Sequence, residues 1–175
     1  MMTETKPAPW RNRIIGYGEV APNELLANPL NFRIHPQAQQ EALLGVIKEV
    51  GLVQDVIVNK RTGFVLDGHL RIALALQQAQ SMIPVKYVDL SPEEESTALL
   101  FLDRLAAMAT YDKAKLDALL HEVQTLEPAL QSTLAQMATD AGLLPPAITF
   151  EQYEEDIADE VQYVECPQCH HRFPK

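Results

Sequence analysis

The chain has 175 residues, 47% of them hydrophobic and 22% charged, with a formal net charge of −10. That length buries one core and a small appendage, and no apolar run approaches the roughly 18 residues of a membrane-spanning helix, so a soluble protein without a membrane partner is expected. Charge is uneven: nine basic against eight acidic residues in 1–90, but five against sixteen in 91–175, so any DNA contact is expected in the first half.

Met1 to Arg13 is polar and lacks the apolar segment of a secretory signal, so residues 1–15 are read as a flexible tail and the protein as cytoplasmic. Arg13 to Val20 is given no regular element, and Asn28-Pro29-Leu30-Asn31-Phe32-Arg33 reads as a loop. From Pro36, the spacing of Ala42, Leu43, Val46, Ile47 and Val50 predicts a helix that stops at Gly51. Val53 and Val56-Ile57-Val58 predict a strand, Lys60 to Gly63 a turn, and Phe64-Val65-Leu66 the returning strand of a hairpin.

Asp67-Gly68 breaks that run, and Ile72, Ala73, Leu76 and Ala79 predict a helical stripe before a strand at Ile83 to Val88. Ser91-Pro92-Glu93-Glu94 combines a capping residue, a first-turn proline and a third-position glutamate, which start a helix through about Ala109. Lys113 to Thr125 and Ala129 to Ala141 predict a helical hairpin. The expected organisation is a main domain over 16–109, a helical extension over 110–144, an acidic linker over 145–162, and a terminal segment over 163–175.

The strand-to-helix turn Asp67-Gly68-His69-Leu70-Arg71 carries the chemistry. Free N–H groups and the positive end of a helix dipole favour an anion there, Gly68 permits close approach, and Arg71 on the first turn forks to phosphate oxygens. Asp67 is a candidate to bind Mg²⁺ or accept a proton, and His69 to stabilise a transferring phosphoryl group. In the simpler reading Asp67 caps the helix and His69 only hydrogen-bonds a phosphate. Arg33 is placed to reach the same phosphate from the facing loop, against the alternative of a solvated charge.

Three motifs in order, Asn28-Pro29-x-x-x-Arg33, Gly51-Leu52-x-Gln54 and Gly68-x-x-Arg71, resemble the amino-terminal domain of the ParB/sulfiredoxin superfamily over roughly residues 20–103. The resemblance implies an α/β (α+β) fold, a small mixed sheet flanked by helices. It also implies a nucleotide site in which Gly68, Arg71, Arg33 and Asn28 bind phosphate and Gln54 contacts base or ribose, against the alternative that Gln54 is only an exposed polar residue, with CTP or ATP and Mg²⁺ as cofactors. The Asp-Gly-His-x-Arg turn is most similar to phage and prophage proteins often found with DNA methyltransferases, which implies a role in DNA modification or partition and a methyltransferase or other phage protein as partner. Chromosome-partitioning members carry Glu and Arg after the glycine where this chain has His69 and Leu70, so clamp-type CTP hydrolysis does not carry over. Sulfiredoxins place a reactive cysteine at the position of His69, so their thiol chemistry is excluded. The free-serine kinases carry Asp-Gly-His-His-Arg, which matches here except at Leu70. A metal-dependent nuclease, a small-molecule kinase and an inert adaptor remain as alternatives.

Cys166-x-x-Cys169 is the spacing that brings two thiolates to one Zn²⁺, with His170, His171 or a second chain completing four ligands, the latter giving a homodimer, against the alternative of a disordered tail with free thiols.

Overall fold

A computed structural model of the protein describes residues 9–144, 163–165, 167–168 and 172–174. The chain divides into two compact units between Ala118 and Leu119.

The first unit is built on a four-stranded sheet of β1 (Ile14–Val20), β2 (Val56–Asn59), β3 (Val65–Asp67) and β4 (Ile83–Val88), in the order β1-β4-β2-β3. β2 runs parallel to β4, while β1–β4 and β2–β3 are antiparallel. Such a mixed sheet follows from the chain order: a hairpin joins β2 to β3, and α2 (His69–Gln77) carries the chain from β3 back to β4. The expected small mixed sheet flanked by helices is therefore what the chain adopts.

Val56, Val58, Val65, Ile72, Ala75, Ile83 and Val85 form the core. Consecutive Val65 and Leu66 are both buried, so β3 is covered on its two faces. The hairpin turn closes with Gly63 at φ 79°, donating its N–H to the Asn59 carbonyl at 2.8 Å.

α1 (Gln37–Val50) ends where Gly51 takes φ 90° and donates to the Ile47 carbonyl. α3 (Pro92–Ala107) opens with a complete capping box between Ser91 and Glu94 and lies against β3. α4 (Lys113–Glu122) spans the division between units, and α5 (Pro128–Ala141) ends on Gly142 at φ 65° in the second unit. There β5 (Tyr163–Glu165) also pairs antiparallel with β6 (Arg172–Pro174).

Three local expectations are corrected. Arg13 to Val20, given no regular element, supplies β1, because six of its residues pair with β4 although Ile15 and Tyr17 remain exposed. Of the expected α2 stripe Ile72, Ala73, Leu76 and Ala79 only Ile72 is buried: the helix buries Leu70, Ile72, Leu74 and Ala75, the broad face a helix needs against a sheet, and leaves Ala73 and Leu76 exposed. Val53 lies outside β2 and is exposed.

Candidate functional site

β3 delivers Asp67 to its end, and Gly68 turns the chain into α2 with φ 102° and ψ 14°. A Cβ at Gly68 would sit 2.9 Å from Val56 Cγ2 and 3.2 Å from Val56 Cα. Both the backbone angle and the approach to β2 therefore require glycine. No side chain caps α2, and its first α-helical bond is from Ile72 N–H to the Gly68 carbonyl. Asp67 is thus not the cap that the simpler reading assigned to it. The N–H groups of the first turn lie ahead of the helical ladder, as at any helix start.

Asp67 instead pairs with Arg71, Oδ2 to Nη2 at 2.6 Å, with the two side chains 18% and 11% exposed. Arg71 also donates to Gln54 Oε1 at 3.1 Å and to the Asp55 carbonyl at 3.3 Å. Its Nε is buried without a hydrogen-bond partner. Gln54, Asp67 and Arg71, drawn from three segments, thus form one bonded set. Gln54 lies on the Arg71 guanidinium, and Asp67 is held by a cation, which competes with any Mg²⁺ for the carboxylate. The arginine stem also walls a largely apolar cavity of about 290 Å³ with Leu44, Ile47, Leu74 and Met82.

His69 opens α2, and its Nε2 accepts the Asn28 backbone N–H at 3.3 Å, which places the ring proton on Nδ1. Burial, and then the charge of Arg33, push the His69 pKa below its ordinary value, so the ring is a neutral donor.

Asn28 is brought to the turn, where its side chain is bonded to neighbouring parts of the fold. It is 4% exposed, and its Nδ2 donates to Glu95 while its Oδ1 accepts from Leu30 N–H. Its polar groups are committed to the fold.

Arg33 is close enough to His69 to act on it electrostatically, yet its guanidinium is bonded to α3: Nε to Asp103 Oδ2 at 2.7 Å and Nη2 to the Leu99 carbonyl at 2.9 Å. Its partner Asp103 is 56% exposed.

Sequence reasoning missed Glu95 and Asp103. Glu95 was masked by two acidic neighbours, although its place four residues before buried Leu99 sets it on the inward face of α3. Asp103 carried no motif signal. Among the described residues, no three His, Cys, Asp or Glu side chains gather into a metal-binding group, and no helix is long and apolar enough to cross a membrane. Cys166, Cys169, His170 and His171 lie outside the described residues.

No protein-family model matches the chain, and no curated relative does. Among solved structures it is similar to the C-terminally truncated chromosome-partitioning protein ParB from Caulobacter crescentus complexed with CTP-gamma-S. That match has a TM-score of 0.50 and 20% identity, and covers 73% of this chain and 72% of that one. The C2221 form of the Pnob8-like ParB-N domain matches with a TM-score of 0.45 and 13% identity, over 91% of this chain and 58% of that one. Another structure of the pNOB8-like ParB N-domain matches with a TM-score of 0.44 and 12% identity, over 95% and 56%. The Caulobacter match establishes the fold that the sequence motifs implied.

Proposed function

We propose that the chain is a ParB-like nucleotide-binding module that receives the phosphates of CTP or ATP at the start of α2. The observation that carries this reading is the start of α2 after Gly68, which no side chain caps, together with a guanidinium whose Nε lacks a partner and a neutral imidazole at the first helical position. The Caulobacter ParB of the same fold, solved with CTP-gamma-S, supports a nucleotide as the ligand.

In this reading the first-turn N–H groups of α2, the His69 Nδ1–H, Arg71 and Arg33 are the phosphate donors, and Gln54 contacts the base or ribose. Arg33 reaches the ligand by exchanging Asp103 for phosphate. Mg²⁺ arrives on the nucleotide, whose own oxygens hold it. The nuclease and kinase alternatives both ask Asp67 to leave Arg71, and no observation favours that exchange over simple binding.

The wider setting follows from the sequence resemblance: a phage or mobile-element DNA process linked to modification or partition. There, DNA meets the less acidic first half and a partner such as a DNA methyltransferase meets the acidic helical half.

The test is calorimetric titration with CTP, ATP and ADP in Mg²⁺, on the natural protein and on Arg71→Lys. Lysine retains the stem and the charge while removing the fork, which keeps the cavity wall in place. Saturable binding that weakens at least tenfold in the variant supports the reading, and silence with all three nucleotides leaves the inert adaptor.

A further inference from the structure

Glu95 is the only charged side chain buried among the described residues, at 7% exposure. A carboxylate out of water needs compensating donors. Glu95 has three neutral ones: its Oε1 accepts from Asn28 Nδ2 at 2.9 Å, and its Oε2 from Asn59 Nδ2 and Thr62 Oγ1, each at 2.5 Å.

Asn59 and Thr62 belong to the β2–β3 hairpin, and securing that hairpin to α3 accounts for one carboxylate oxygen. The other oxygen holds Asn28, which has no role in the hairpin. Every polar group of Asn28 is used: Nδ2 on Glu95, Oδ1 on Leu30 N–H, the carbonyl on Asn31 N–H, and its own N–H on His69 Nε2. One line of hydrogen bonds therefore runs from Glu95 through Asn28 to the imidazole at the start of α2. An imidazole is donor or acceptor at Nε2 according to its tautomer, and a fixed N–H there admits only the form protonated on Nδ1.

We propose that Glu95 is a positioning residue of the site: through Asn28 it holds the imidazole of His69 as the neutral Nδ1–H tautomer that donates to a ligand phosphate. The final clause rests on the nucleotide reading above, whereas control of the tautomer does not.

The two amino acids can be exchanged in chemical sense. Asn28→Asp sets two carboxylates against each other and releases the loop. Combining it with Glu95→Gln restores the bond in reverse: the amide introduced at position 95 donates to the carboxylate introduced at position 28, while the amide oxygen accepts from Asn59 and Thr62. Glu95→Gln alone places an NH₂ against a donor and is the milder disruption.

The experiment reads the ring ¹⁵N shifts of His69 by long-range proton–nitrogen correlation at one fixed neutral pH, with CTP and ATP affinity on the same samples. The natural chain is expected to show the Nδ1–H form. Asn28→Asp, or Glu95→Gln if the former does not fold, is expected to show a tautomer mixture and an affinity lower by roughly tenfold, the scale of one hydrogen bond. The double variant is expected to recover both.

An unchanged tautomer in the folded single variants overturns the proposal, as does a folded double variant that fails to recover it. If the tautomer follows the swap while no protein binds nucleotide, the positioning stands and the nucleotide reading falls.

Discussion

Asp67 at the end of β3 and Arg71 in the first turn of α2 face each other across the Gly68 turn, Oδ2 2.6 Å from Nη2. The same guanidinium that a phosphate would use is already neutralised by the chain. Both side chains are largely buried, so the pair differs from a surface ion pair that solvent screens.

Removing the carboxylate should trade stability for affinity. Asp67→Ala leaves the Arg71 charge enclosed without its partner and is expected to cost about 3 kcal/mol, read as a lower urea midpoint. Asp67→Asn keeps the shape and costs less. In both, a phosphate no longer competes with Asp67, so nucleotide affinity is expected to rise by roughly three- to tenfold. Affinity that falls in folded Asp67→Asn would show that the carboxylate serves the ligand directly.

Gly68→Ala tests the turn itself. The substitution meets φ 102° and a Val56 side chain 2.9 Å from the new methyl group. Strain and overpacking together predict a loss of about 2–4 kcal/mol in thermal or urea unfolding. Because Val56 is fully buried in the core, it has no room to yield. Val56→Ala in the Gly68→Ala background should recover part of the deficit beyond the cost of Val56→Ala alone, a coupling a double-mutant cycle measures.

Legibility in the sequence followed locality. Ser91-Pro92-x-Glu94 and Gly51 announced helix boundaries because capping and positive φ are settled by residues a few positions apart, and both recur in the structure. The Gly68 turn was legible for the same reason. β1 was not, since Gly16 and Gly18 interrupt its apolar alternation and its place depends on pairing with β4, about seventy residues away. The buried face of α2 was misread because a helix on a sheet buries a wider arc than a narrow three-four stripe. In the site, Arg71 and Gly68 carried motif signals, whereas buried Glu95 is set apart from exposed Glu93 only by its spacing to Leu99, and nothing local shows that Arg33 is tied to Asp103.

The junction between the N-terminal segment and α3 predicts an acid response. Arg13 donates to both Glu94 oxygens, at 2.6 and 2.8 Å, and to the Asp89 carbonyl. The Arg13 hydrogen bonds, and then the Ser91 N–H, pull the Glu94 pKa from 4.5 down to about 2. A carboxyl whose pKa is depressed on folding contributes fully above its unfolded value and loses that contribution as pH falls through the folded one. The difference in melting temperature between the natural chain and Glu94→Gln should therefore stay constant from neutral pH to about pH 5, then close between 4.5 and about 2. A difference that closes above pH 5 would assign it to another group.

The terminal cysteines give a prediction about assembly. Cys166, Cys169, His170 and His171 supply donors of the right kind for Zn²⁺, and Glu165 pairs with Arg172 across the segment they occupy. Cys169, His170 and His171 are consecutive, so one chain has difficulty turning three adjacent side chains toward three corners of a tetrahedron. Two chains giving one Cys-x-x-Cys pair each satisfy the geometry more simply. The expected result is therefore one zinc per two chains, a dimer mass by light scattering, and a monomer mass after a strong chelator or in Cys166→Ser/Cys169→Ser. One zinc per chain in a monomer would place all ligands within a single tail. Absence of zinc from protein purified in zinc-supplemented buffer under reducing conditions would leave the thiols without a metal role.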